Sequence, residues 1–148
     1  MDLILWRHAD AEDGSDDAAR RLTSKGRKQA AKMAAWLDER LPKTVRVLVS
    51  PALRAQQTAE ALSRKSETCE QVSTRAQPAE ILKAAGWGGA ESGTVVVVGH
   101  QPCLGAAAAL ALTGKPAPWR IRKGAVWWLS TSADAIPVVR AVLAPDIL

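Results

Sequence analysis

Apolar residues run without a break through Leu3-Ile4-Leu5-Trp6 and stop at Arg7-His8. The chain then turns polar and acidic through Ala9-Asp10-Ala11-Glu12-Asp13-Gly14. A short apolar run between polar flanks predicts a strand buried on both faces, with Arg7 and His8 at its C-terminal end. Far down the chain Val95-Val96-Val97-Val98-Gly99-His100 repeats the pattern, and it too delivers a histidine at the strand end. A third strand-like stretch, Val45-Arg46-Val47-Leu48-Val49, is apolar but for Arg46 and ends in Ser50-Pro51.

Helical spacing fills the intervals. Ala30, Met33, Ala34, Leu37 and Leu41 share one face of a helix over 24–40, with Thr23 as its N-cap and Leu41-Pro42-Lys43 closing it. Gly26 weakens the first turn. Ser50 as N-cap and Pro51 in the first turn predict a helix that continues over 52–64 and carries Arg54 in its first turn. A short strand is expected over 70–75, a short helix over 78–85 and a surface loop over 86–93. An alanine-rich helix over 104–112 follows, whose small side chains imply close approach to the sheet. The tail changes character: 125–130 and 136–143 read as two strands joined by a polar turn, hence an antiparallel pair. The order predicts a three-layer α/β/α fold with a mostly parallel sheet and an antiparallel edge, in one domain spanning 1–148.

Composition narrows the chemistry. The chain has 148 residues, with 6 Trp but no Tyr or Phe, so no phenol can serve as acid or nucleophile. Its only 2 histidines are the two at the strand ends. Net charge is +5 and the isoelectric point about 9.6, which favours anionic partners. The basic residues read as scattered, in Arg20-Arg21, Arg27-Lys28, Arg64-Lys65 and Arg120-Ile121-Arg122-Lys123, without a long run or helix stripe, and no nucleic-acid-binding motif is present. No nucleic-acid partner is therefore expected. Cys69 and Cys103 are too few for a disulfide framework or a metal cluster, and no stretch approaches a membrane span. A soluble cytoplasmic monomer without metal or cofactor is the expectation.

In open α/β sheets ligands bind at the C-terminal strand ends, and Arg7, His8, Arg54 and His100 all fall there. Two guanidinium forks, two imidazoles and the helix starts near Pro51 and Pro102 suit a small, highly charged anion such as a phosphoryl group. A neutral imidazole is also a nucleophile near pH 7, so covalent catalysis through a phosphohistidine is within reach of this set. Taken singly, each residue reads more simply as a polar strand exit, a turn histidine or a surface charge. The functional reading rests on their joint placement.

These residues carry a resemblance. Leu5-Trp6-Arg7-His8-Ala9 resembles the Arg-His-Gly signature of the histidine phosphatase (phosphoglycerate-mutase-like) superfamily. Ser50-Pro51-Ala52-Leu53-Arg54-Ala55-Gln56-Gln57-Thr58-Ala59 is similar to its Ser-Pro-x-x-Arg-x-x-Gln-Thr-Ala segment, and Val98-Gly99-His100-Gln101-Pro102 to its second-histidine turn. The short chain and Arg20-Arg21-Leu22-Thr23 resemble the SixA-type phosphohistidine phosphatase branch. The resemblance implies a phosphoglycerate-mutase-like fold and a metal-independent phosphatase in which His8 becomes phosphorylated. Arg7, Arg54 and His100 would bind the phosphoryl group, joined by Arg20, with Arg21 as the rival for that place. The substrate would be a phosphohistidine-bearing protein. A small phosphomonoester, or phosphate binding without turnover, are the other readings.

Two departures stand out. Ala9 replaces the usual glycine, which matters only if that position needs a positive φ. No clear general acid is found. Glu80, Asp10 and Glu12 are in suitable parts of the chain, but each reads more simply as a surface carboxylate. A site without a strong acid suits a labile P–N bond better than an alkyl phosphate, whose leaving group benefits from protonation.

Overall fold

A computed structural model describes residues 1–148. Six strands form one sheet: β1 (Asp2–Arg7), β2 (Arg46–Val49), β3 (Glu67–Thr68), β4 (Thr94–Gly99), β5 (Val126–Ser130) and β6 (Val138–Leu143). Four helices accompany them: α1 (Ser24–Asp38), α2 (Leu53–Glu60), α3 (Pro78–Ala85) and α4 (Cys103–Thr113). The strand order is β3-β2-β4-β1-β5-β6. β1 to β4 run parallel, and β5 and β6 are antiparallel to their neighbours, which is the mixed sheet the pattern predicts.

Alternation along the strands divides the core. Leu3 and Leu5 of β1 and Val95 and Val97 of β4 face α3 and α4, where they pack with Ile81, Leu104 and Ala108. Ile4 and Trp6, with Val96 and Val98, face α1 and α2 and meet Met33, Leu37, Ala55 and Ala59. Both faces of these strands are buried, so the sequence shows continuous apolar runs there instead of alternation. The register pairs Arg7 with Gly99, so the two strands end side by side and put His8 and His100 at one edge.

Glycine has a packing role in two helices. A Cβ on Gly26 would lie 1.9 Å from the Asp10 carbonyl oxygen, and one on Gly105 would lie 1.6 Å from that of Trp119. Gly26 therefore lets α1 approach the loop that follows β1, although it weakens the helical turn.

Several boundaries differ from the sequence reading. The third strand is only Glu67–Thr68, paired beside Leu48 and Val49, and the expected strand over 70–75 opens with a 3₁₀ turn at Glu70–Val72. Only Val72 of that turn is buried, so the segment has one apolar anchor and no alternating face. α2 begins at Leu53 with Ala52 as N-cap; the Ser50 hydroxyl lies towards His100 and accepts the Ala52 amide just ahead of the helix instead of capping its first turn. It ends at Glu60, since Arg64 folds back onto Asp38 and the Leu41 and Pro42 carbonyls. No helix is long and apolar enough to cross a membrane.

Candidate active site

His8 follows β1 directly and is held from two sides. Its amide donates to the Gly99 carbonyl at 3.0 Å, and the Gly124 amide donates to its own carbonyl at 3.1 Å. The imidazole is 6% exposed. Its Nδ1 lies 2.7 Å from the Ala9 carbonyl oxygen. A carbonyl can only accept, so the proton sits on Nδ1 and Nε2 keeps its lone pair. Ala9 takes a negative φ, so alanine replaces the signature glycine without strain.

His100 stands opposite, with ring centroids 5.2 Å apart and planes tilted by 53°. Its Nε2 is 2.7 Å from Ser50 Oγ, and that oxygen also accepts the Ala52 amide at 3.2 Å. The hydroxyl satisfies all partners by donating to Nε2, which leaves Nδ1 of His100 as an N–H donor. Both rings are pushed well down. Burial and then the Arg54, Arg7 and Arg20 guanidiniums bring His8 to about 4, against the opposing pull of its bond to Ala9. Burial and then the His8 and Arg54 charges bring His100 to about 3. Both are neutral near pH 7, and His8 has the free electron pair a nucleophile needs.

Three arginines surround the pair. Arg7 donates through Nη1 to the Ile121 carbonyl at 3.0 Å. Arg54, 5% exposed, donates to Asp17 twice, to its carbonyl at 2.7 Å and its carboxylate at 3.2 Å. Arg20 reaches the same Asp17 carboxylate at 3.1 Å and the Glu12 carbonyl at 2.7 Å. Its neighbour Arg21 turns outward, its side chain 65% exposed beside Glu12. Of the adjacent arginines, Arg20 is the one whose charge is felt at His8.

Three buried side-chain polar atoms have no partner: Arg7 Nε, Arg54 Nε and His100 Nδ1. All three belong to this cluster and all are donors. Buried donors are normally satisfied, so unpaired ones on three different elements mark a place for an anion with several acceptor oxygens. A tetrahedral oxyanion such as a phosphoryl group fits that requirement.

Thr58 joins the parts. Its Oγ1 accepts the Ala9 amide at 3.0 Å and donates to the Arg54 carbonyl at 2.7 Å, so one hydroxyl ties the β1 exit to α2. Gln57 Oε1 accepts the Leu22 amide at 2.8 Å and fixes the loop bearing Arg20. The Gln57-Thr58 pair thus braces the loops around the site. Asp17 was not singled out by the sequence reading. Its only signal was an acidic residue three positions before Arg20.

The weak acid candidates lie elsewhere in the bonding pattern. Glu80 caps α3 through the Gln77 amide. Asp10 is held by Thr23 and Lys123, which keep its carboxyl below the usual range. Glu12 is exposed beside Arg21. Trp87 and Trp119 pack against the α3/α4 core, and Trp119 meets Trp127 at 5.8 Å. Cys103 donates to the Ala76 carbonyl, and burial pushes its thiol up, which leaves it unreactive.

The donor cluster at the edge of this mixed α/β sheet agrees with what comparison finds. Residues 3–81 match the family model of the histidine phosphatase superfamily, branch 1. The phosphohistidine phosphatase SixA of Escherichia coli K12 is 32% identical over 130 residues, covering 80% of this chain and 78% of that protein. A SixA homolog of Haemophilus influenzae is 42% identical over 64 residues, 39% of each chain. The solved structure of the protein histidine phosphatase SixA complexed with tungstate superposes with a TM-score of 0.79 at 26% identity, over 99% of both chains. The chain belongs to the histidine phosphatase superfamily and is similar to its SixA-type members. It is a phosphatase, a hydrolase of phosphoryl bonds.

Proposed function

We propose that this chain removes the phosphoryl group from phosphohistidine on a protein, through a covalent intermediate on Nε2 of His8. The observation that carries this reading is the pairing of a neutral His8, protonated on Nδ1, with three unpartnered buried donors around it. The Arg7 and Arg54 guanidiniums and the His100 Nδ1–H bind the phosphoryl oxygens, and Arg20 adds charge from the loop. These groups stabilise the charge spread over the equatorial oxygens during transfer.

In the first step the Nε2 lone pair forms a bond to phosphorus. The P–N bond of the substrate breaks, and its electrons go to the departing imidazole nitrogen, which takes up a proton from water. In the second step a water oxygen attacks phosphorus, the P–Nε2 bond breaks and His8 returns to its neutral form. The surplus water proton leaves with phosphate or to solvent. Nδ1–H stays bonded to the Ala9 carbonyl throughout, so the ring does not need to turn.

The choice of substrate follows from the acids. Asp17 is the carboxylate bonded to the phosphate-binding arginines. The hydrogen bonds and charges of Arg20 and then Arg54 hold it below the usual carboxylate range. Such a group is a poor proton donor. An imidazole leaving group can take its proton from water, whereas an alkoxide depends on a positioned acid. The likeness to SixA-type proteins supports the same substrate class.

The test compares wild type with His8→Ala on a phosphohistidine-bearing protein, with a chelator present. Phosphate release by wild type alone supports the reading. Equal activity of both overturns the role of His8. Inertness of wild type, with turnover of sugar or nucleotide phosphates, would assign the site to small phosphomonoesters instead.

A further inference from the structure

The positive charge of the chain is not spread evenly. A cavity of about 340 Å³ opens beside Arg7, and a second of about 390 Å³ continues from it, sharing Lys25, Gln29, Pro145 and Asp146. Together they form a groove leading away from the phosphoryl site. One wall is α1, which presents Lys25, Lys28 and Lys32 at helical spacing on one face. The other wall is the segment before β5, which brings Arg120, Arg122 and Lys123. Ala144 and Pro145 lie along it as well. Along the chain the basic residues read as scattered, without a helix stripe. The stripe is in fact there at positions 25, 28 and 32, and the fold sets it opposite a basic segment almost a hundred residues away.

The groove is unbalanced. Its carboxylates are Asp10 and Asp146, and each already has a cation, Lys123 at 3.0 Å and Arg122 at 3.3 Å. Lys25, Lys28 and Arg120 form no ion pair and are exposed. The surplus positive charge favours an anionic partner, and two features favour a polypeptide over a nucleic acid. No aromatic side chain lines the groove, so it offers no stacking platform for bases. Asp10 and Asp146 also interrupt the cations, which suits separated carboxylates better than an unbroken phosphate backbone. The lysine row spans about 10 Å at the helical rise, the reach of a few residues of extended chain.

We propose that this groove docks an acidic segment flanking the phosphohistidine of the substrate protein, so that the enzyme selects its partner by charge outside the phosphoryl pocket. The inference rests on the phosphohistidine reading above and adds a specificity surface to it.

Two synthetic peptides test it, identical around a phosphohistidine and differing in whether glutamates or glutamines flank it. Wild type is expected to favour the acidic peptide by about tenfold in kcat/KM, through KM, and the preference shrinks as salt rises. In Lys25→Gln/Lys28→Gln/Lys32→Gln the preference falls towards unity while turnover of the glutamine peptide stays the same. A Lys28→Glu/Lys32→Glu variant inverts it. The proposal is overturned if the triple variant keeps its preference, or if both peptides slow together, which would mean that the lysines serve the fold. It is also overturned if a single-stranded DNA oligomer inhibits wild type more strongly than the unphosphorylated acidic peptide and loses that effect in the variant. If wild type turns over neither peptide, the phosphohistidine reading itself fails. That result is distinct from turnover without preference, which sinks only the docking groove.

Discussion

Arg54 gives both of its terminal nitrogens to Asp17, Nη1 to the main-chain oxygen at 2.7 Å and Nη2 to the carboxylate at 3.2 Å. The same carboxylate holds Arg20. An incoming phosphoryl group must share or displace it. Asp17→Asn keeps the main-chain contact and removes the competing charge, so inorganic phosphate or tungstate should bind about two- to fivefold tighter. Titration calorimetry of the two proteins measures this, and weaker binding by the variant would show that the carboxylate positions the arginines instead.

Thr58 is fully buried, and its hydroxyl is the only partner given to the Ala9 amide. Thr58→Val keeps the shape and orphans that amide. The variant should lose about 1–3 kcal/mol of stability and turn over more slowly, because the His8 and Arg54 segments are no longer tied. Thr58→Ser should restore both. Denaturant unfolding and steady-state assays decide the matter, and a Val variant with wild-type stability would contradict the role given to the hydroxyl.

The two histidines make the protein acid-sensitive. Their folded values, about 4 for His8 and about 3 for His100, lie below the unfolded value of 6.5. Between these limits the unfolded chain binds more protons, so stability rises with pH and is fully present above about 6.5. It is lost as pH falls towards 4, by at most about 1.4 kcal/mol per pH unit for each ring. A bound phosphate dianion favours the charged rings and should flatten this dependence. Unfolding curves at pH 5 and pH 7, with and without phosphate, check it, and equal stability without phosphate would mean that the rings are not desolvated as described.

Gly26→Ala would ordinarily stabilise an exposed helical turn by about 1 kcal/mol. Here the added methyl meets the Asp10 carbonyl oxygen at 1.9 Å. The variant should instead lose on the order of 2 kcal/mol or more and displace the loop after His8. A raised melting temperature would refute the close approach inferred at this position.

Much of the site was visible in the chain because β1 and β4 are buried on both faces, so their apolar runs end abruptly at Arg7-His8 and Gly99-His100. β3 was misplaced because its two exposed residues carry no apolar pattern. Ser50 looked like a helix cap because its bond to His100 joins residues 50 positions apart. The choice between Arg20 and Arg21 depends on which way a loop turns, which Glu12, Asp17 and Gln57 decide through contacts that spacing does not reveal. The lysines at 25, 28 and 32 were legible, but the wall facing them was not.

The central claim is that phosphate passes through Nε2 of His8. The most direct measurement is to mix enzyme with a phosphohistidine substrate, quench in alkali within the first turnover and locate the phosphoryl group by peptide mapping and phosphorus NMR. The account predicts one phosphoryl group per chain, on the peptide containing His8 and attached at Nε2, and none in His8→Ala. Full turnover with no phosphoenzyme at any time, or a phosphoryl group on His100, would contradict it.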